Sequence, residues 1–307
     1  MFGNNQYPQA LKMARLISAL LVLLLGSTSL SAQFLDYRTD GIPRTPDGKP
    51  NLSAPTPRTP DGKPDLSGVW AVQGSSYVKG TEAGRPGEVG GTAAKGAPAA
   101  NGDLFARRSL FLNLGWAVDG GIPYKPGVRE AARALADPST GKTTEPHSAC
   151  LPDGFMTGHT WDEQLRKIVQ TPKLLVLLVE YNSMYRQIFL DGRPLPTDPD
   201  PSWSGNSTGH WEGDTLVVQS SGFKDGQWLD TGADPFGETT KVTERFRRPD
   251  FGHLQIDVTI DDPKFYTKPW SVRVNEVYAA DTDLLEFICL ENEKDIQHMK
   301  AGAAKGK

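Results

Sequence analysis

Three glutamates and one arginine of this 307-residue chain stand where strand alternation otherwise puts aliphatic side chains. In "TTKVTERFRR", Glu244 lies between Val242 and Phe246. In "WSVRVNEVY", Glu276 continues the face of Trp270, Val272 and Val274, with Tyr278 beyond it. Glu180 extends the alternate set Leu174, Val176 and Leu178, and Arg186 falls between Met184 and Ile188. Successive side chains of a strand point to opposite faces, so all four charges are expected on the aliphatic side. "HLQIDVTI" is the control, because its set Leu254, Ile256, Val258 and Ile260 is uniformly apolar. An ionised carboxylate on a buried face is costly unless it is paired or neutralised. Two readings stay open. One is a catalytic carboxylate of raised pKa in a barrel mouth, acting as acid or base. The other is a structural ion network, or strand ends where the face reaches water.

Other constellations are thinner. His210 and Glu212 are two apart and share a face, but two ligands are too few for a metal. His147, His159, His253 and His298 show no ligand spacing, so no metal is expected. There is no Gly-x-Ser-x-Gly elbow, Walker loop or dinucleotide fingerprint, which disfavours serine hydrolysis and nucleotide chemistry; no cofactor is expected. Trp203, Trp211 and Trp270, with His210 and Tyr278, are candidate walls of a ligand pocket, although aromatic side chains in barrels also serve simply as core.

The elements that must carry these residues follow from periodicity. From Arg166 onward the period is two, giving strands over 166–171, 174–181, 184–190, 207–212, 214–220, 239–248, 253–261, 270–278 and 284–291. Short turns separate them and no helical pattern intervenes, which predicts an all-β, mainly antiparallel, up-and-down β-barrel. "SGVW" before the first apolar strand is similar to the Gly-x-Trp start of lipocalin-type barrels, so the architecture is lipocalin-like. One short helix is expected in "KPGVREAARALADP", with Pro126 in its first turn and Pro138 as its stop.

The N-terminal third reads differently. Lys12 and Arg15 precede an apolar run over residues 16–25, followed by small residues to Ala32: a secretory signal over 1–32. The run is too short to span a bilayer, and no later stretch has the roughly 20 apolar residues needed, so the mature chain is expected to have no membrane span. Removing it takes two of the 33 basic residues and none of the 37 acidic ones, leaving a net charge near −6. Nucleic acid is an unsuitable partner for such a chain. RTPDGKP occurs at Arg44 and again at Arg58, and no third copy appears, so residues 33–65 read as a Pro/Gly-rich, disordered spacer lengthened by duplication. A single β domain is expected over 66–298, with a flexible insertion at 78–102 and a disordered tail at 299–307. The two cysteines, Cys150 and Cys289, are expected to pair in an oxidising compartment, worth about 3–5 kcal/mol on a chain-entropy view.

Several stretches also carry a family likeness. "RQIFLDGRPLPTDPDPSWSGNSTGHWEGDTLVVQSSGFKDGQWLD", "TERFRRPDFGHLQIDVTIDDPKFYTKPW" and "EFICLENEKDIQH" resemble a family of uncharacterised exported proteins of acidobacteria and proteobacteria, many of which begin with an "RTPDGKPDLSGVW"-like segment. The resemblance covers roughly 65–70 and 150–298. It implies export to the periplasm or beyond and no particular activity. Family members often carry histidines where this chain has Leu195, Asn206 and Asp234 to Phe236, so any histidine site they form is missing here. The expected function is the binding of a small organic ligand by an exported barrel. The alternative is an enzyme using the inward glutamates for hydrolysis, isomerisation or elimination.

Overall fold

The computed structural model describes residues 38–73, 110, 113–137, 146–152, 154–161, 164–289 and 291. The expectations for 1–32, 78–102 and 299–307 lie outside the described residues.

Among the described residues, eleven strands follow in order: β1 (Gly68–Val72), β2 (Arg166–Gln170), β3 (Leu174–Val179), β4 (Met184–Phe189), β5 (Asn206–Glu212), β6 (Thr215–Ser221), β7 (Gln227–Trp228), β8 (Pro235–Phe236), β9 (Lys241–Arg247), β10 (His253–Asp261) and β11 (Trp270–Tyr278). Nine of them close a barrel in the order β1-β11-β10-β9-β6-β5-β4-β3-β2, and β7 with β8 forms a separate two-stranded ribbon. The all-β closed barrel read from the sequence is what the chain forms. Every neighbouring pair in it runs antiparallel except β4 and β5, which run parallel through Ile188 opposite Ser207 and Phe189 opposite Thr208. An odd number of strands cannot alternate all the way round, so one such pair is required.

Among the described residues of 284–291 the expected strand does not form; they contribute one parallel bridge, Tyr181 to Phe287. Its place is taken by β1, which pairs with both β2 and β11 and leaves no edge to extend. The C-terminal stretch is held by other means. Cys150 and Cys289 form the expected disulfide, with Cα atoms 5.4 Å apart. The Cys289 amide also donates to Asn182 Oδ1 at 3.0 Å.

Alternation fills the interior as expected for β9, β10 and β11. Val242 and Phe246, the Leu254 to Ile260 set, and Val272 and Val274 are all buried in one cluster. In β3 the phase is the reverse of the expectation. Leu175 and Leu177 are the buried pair, while Leu174, Val176 and Leu178 are only half-buried. The helix expected after Pro126 is α1 (Val128–Ala136), whose Ala132 packs on Trp228 and Ala233. A second helix, α2 (Thr157–Thr160), was not foreseen; it is a single turn with Thr157, His159 and Thr160 buried.

The duplicated segment is not the contact-free spacer that its composition suggests. Each RTPDGKP copy closes the same small hairpin. Thr45 N donates to Lys49 O and Thr59 N to Lys63 O, both at 2.9 Å, and the glycine of each Asp-Gly turn takes the left-handed φ of 82° or 80°. Each copy also presents its arginine as a two-pronged partner to an aspartate of the barrel domain. Arg44 takes Asp281, and Arg58 takes Asp214 in the turn between β5 and β6. Between the copies, Ala54 O accepts from Phe251 N at 2.8 Å and Leu52 O from Gly252 N at 2.7 Å. Gly252 is needed there, because a Cβ on it would sit 2.3 Å from Leu52 Cβ.

Candidate functional site

Five ionisable side chains form a row across the barrel interior: Arg166, Glu276, His159, Glu244 and Arg186. All are at least 95% buried. Three of the placements follow from alternation, on β4, β9 and β11. Arg186 Nη1 donates to Glu244 Oε1 at 3.0 Å, and Nη2 to Oε2. Its Nε and Nη2 also donate to Ser207 and Ser220 hydroxyls, at 3.0 and 2.8 Å, and the Phe155 ring lies 4.5 Å from its guanidinium carbon. Glu244 Oε1 is 3.0 Å from His159 Nε2. On the far side His159 Nδ1 is 3.9 Å from Glu276 Oε1, which accepts from Arg166 Nη1 at 2.8 Å. Among the described residues, His159 Nδ1 and Glu276 Oε2 have no hydrogen-bond partner.

Two guanidinium groups and two carboxylates balance, so His159 sets the net charge of the row. Burial pushes the Glu244 carboxyl up, but the charge of Arg186 and the hydrogen bond from His159 outweigh it and hold the group down at about 2. For His159, burial works against protonation, yet Glu244 and Glu276 together raise it above its ordinary value. Burial lowers Arg166 from the usual arginine range, against the attraction of Glu276. These directions describe a carboxylate that stays ionised, so the raised-pKa acid imagined for Glu244 is not what its surroundings produce.

Glu180 does not join the row. The reversed phase of β3 puts it on the outer face of the barrel wall, where it is still buried and its oxygens accept from the amides of Leu165 and Leu285 at 3.0 and 2.9 Å. Burial raises its pKa despite those two bonds. It ties the start of β2 to the C-terminal stretch.

The expected aromatic walls do not converge either. Trp270 packs on Tyr266 inside the core, and Trp211 is half-buried against the same core from β5. Tyr278 sits on Trp70 and Phe251. His210 is exposed on the outer face, 3.3 Å from Glu212, which also accepts from Arg245 at 2.7 Å. Of the expected walls, Trp203 lines a recess, with Lys224 Nζ 5.5 Å from its ring. Inside the barrel, Phe155, Phe223 and Phe236 pack against one another and α2 contributes the buried His159.

Two adjacent spaces lie beside the row. A chamber of about 20 Å³ is bordered by Phe155, Gly158, His159, Val179, Tyr185 and Arg186. It has room for about one water molecule. Next to it a groove of about 470 Å³ runs along the outside of the wall where β4 and β5 meet, lined by Met184, Tyr185, Gln187, Trp203, Ser204 and Asn206. Met184, Tyr185, Arg186 and Ser204 border both spaces. A wider, open cleft of about 810 Å³ lies over the outer faces of β6, β9 and β10, among Gln219, Lys241, Thr243, Thr259 and Asp261.

A second buried cluster lies near the β7–β8 ribbon. Asp230 accepts from the amides of Leu114 and Gly232 at 2.7 and 2.9 Å, and Asp234 accepts from the Tyr124 hydroxyl at 2.5 Å. Burial, then the neighbouring Asp234, pushes Asp230 well above the carboxylate range. Burial lifts Asp234 to about 6, against the hydrogen bond from Tyr124.

No family model matches the chain, and no curated protein matches it. Among solved structures it is similar to the crystal structure of a point mutant of the fluorescent protein UnaG, at 15% identity over 36% of this chain and 69% of that one, with a TM-score of 0.22. At that level of superposition, the barrel assignment rests on the strand ladder itself.

His159 was missed by sequence reasoning, since nothing periodic surrounds it in "GFMTGHTW". Arg166 did carry a signal, because it shares a strand face with Ile168. Asp230 and Asp234 lie in "WLDTGADPFGE", where turn chemistry gives no hint of burial.

Proposed function

We propose that this protein is an exported binding module holding a small organic molecule in the groove between β4 and β5. The observation that carries this reading is the short ladder there. Only two residue pairs join the strands, and beside them a recess of about 470 Å³ opens between Trp203 and Tyr185, a tyrosine 62% exposed. That volume lies within the roughly 300–1,000 Å³ of small-molecule sites, whereas the interior chamber accepts a water at most. The buried row is the frame of this site. Arg186 points inward from the strand whose outward neighbours, Tyr185 and Gln187, line the groove, and its bonds to Glu244, Ser207 and Ser220 fix β4 relative to β5, β6 and β9. Export is supported by the signal-like N-terminus and is compatible with the disulfide; no helix among the described residues is long and apolar enough to cross a membrane. Native mass spectrometry of protein isolated from the periplasm tests the reading. A co-purifying molecule lost in Tyr185→Ala and Trp203→Ala is the expected result, and a molecule retained by both variants counts against the groove.

The enzymatic alternative has one observation in its favour: His159 sits between two glutamates with Nδ1 unpartnered among the described residues. It requires a substrate atom to pass Tyr185 into the water-sized chamber. A substrate whose turnover vanishes in His159→Gln, with binding intact, would move the function to that chamber.

A further inference from the structure

The chemistry of the groove names a ligand class. Resting on the groove reading, we propose that the ligand is a neutral, polyhydroxylated molecule: a sugar or short oligosaccharide.

Three observations converge on this. First, the groove offers no free charge among the described residues. The one permanently charged side chain on its wall is Arg186, and each of its nitrogens already donates to Glu244, Ser207 or Ser220. A cationic ligand would find no carboxylate among the described lining residues, and for an anionic one the nearest cation besides Arg186 is Lys224, which lies over the Trp203 ring outside the lining. Second, the polar groups that are available are uncharged and serve as both donors and acceptors. The side chains of Gln187 and Asn206 make no hydrogen bond among the described residues, and Ser183 and Ser202 lie beside them. An amide presents two donors and a two-lone-pair acceptor, and a hydroxyl presents both functions. This matches a ring bearing several hydroxyls, each also a donor and an acceptor. Third, Tyr185 and Trp203 supply flat apolar surface without closing the groove. A sugar ring has one such need, a face of C–H groups, while its edge seeks polar partners. A fatty acyl chain would instead leave the amides unpaired, and buried unpaired amides cost more than the apolar contact returns.

The charged neighbours stand at the margin. Lys224 lies over Trp203 without bordering the recess, and Arg193 covers the Phe189 ring with its guanidinium carbon 3.8 Å from the centroid. Phe189 is thereby covered more closely than Trp203 is by Lys224, 5.5 Å from its centroid, which leaves the exposed Tyr185 as the main platform and Trp203 as the second.

The test is calorimetric titration of the full chain with cellotriose, maltotriose and chitotriose, beside laurate and indole. Saturable binding of at least one trisaccharide is expected. Tyr185→Ala and Trp203→Ala should each weaken it by about tenfold or more, a loss comparable to one ring contact with its associated burial. Gln187→Ala should weaken it too. Val169→Ala, on the exposed face of β2, should change nothing, and all four variants should melt with the parent. If laurate or indole binds with the same dependence on Tyr185 and Trp203 while no trisaccharide does, the sugar assignment is overturned and the groove stands. If none of the five probes binds, both fall together.

Discussion

Arg186 and Glu244 meet inside the barrel as a two-pronged pair, both carboxylate oxygens engaged by one guanidinium. Both side chains are almost wholly buried, and their strands are not neighbours: β5 and β6 lie between β4 and β9. The pair is therefore a brace across the interior, and Ser207 and Ser220 from the two intervening strands complete it.

Breaking one side of that brace leaves a buried charge without its partner. Glu244→Gln is expected to cost about 3 kcal/mol in a denaturant melt. Replacing both partners, as Arg186→Met with Glu244→Leu, should cost clearly less than the sum of the single changes. A Glu244→Gln variant as stable as the parent would show that the pair contributes nothing.

Two carboxyl groups should bend the stability–pH curve in opposite senses. Glu244 is held at about 2 in the folded chain against an ordinary 4.5, chiefly by Arg186 overcoming burial. The unfolded chain takes up that proton first, so the stabilisation is complete above about pH 4.5 and is lost as pH falls towards 2. Asp234 is raised by burial from 3.8 to about 6. Here the folded chain keeps a proton that the unfolded chain has released, so stability falls as pH rises from about 4 to 6. Asp234→Asn should flatten the second limb and Glu244→Gln the first, in melting temperature measured across the acid range. Unaltered curves in both variants would contradict the assignment.

The duplicated hairpins should matter through their backbone docking rather than their ion pairs. Arg58 and Asp214 are both well exposed, and such pairs contribute little, so Arg58→Ala should leave the melting temperature unchanged. Deleting residues 39–64 removes the partners of the Phe251 and Gly252 amides, along with the buried Ala54, and should lower it by several degrees. Gly252→Ala should act in the same direction through its collision with Leu52. A deletion variant that melts with the parent would return the segment to the status of a spacer.

Thiol titration under denaturing conditions should find no free sulfhydryl in oxidised protein. Replacing Cys150 and Cys289 together by serine should cost about 2–5 kcal/mol. The loss should localise to 284–289 and the turn at Asn182, where hydrogen exchange would rise first.

Legibility followed contrast between faces. Glu244 and Glu276 could be placed because their strands have one apolar side and one polar side, so a charge on the apolar side stands out. "LLVLLV" of β3 is apolar on both sides, and a period of two then cannot choose the face; the one-residue error sent Glu180 inward on paper. Arg166 was readable from "RKIVQ" and passed over. His159 was not, because a single-turn helix has no period to detect and its burial is decided by the barrel around it. The apolar "FICL" at 287–290 has strand composition, but composition alone cannot reveal that β1 already occupies the position beside β11.

The parallel step between β4 and β5 has a further consequence. Strand directions around a closed barrel behave like two colours on a ring, and a nine-membered ring cannot be coloured without one like pair. The mismatch can be moved but never erased by point substitution, since only gaining or losing a strand would change the count. What places it is the connection over residues 190–205, long enough to carry the chain back to the end where β4 began. Side chains in the groove are therefore free to change with the ligand, while the opening is inherited with the architecture. Shortening that connection to a tight turn should reverse β5, pass the mismatch to another pair, and abolish the groove together with Trp203 and Ser204, which the connection itself contributes.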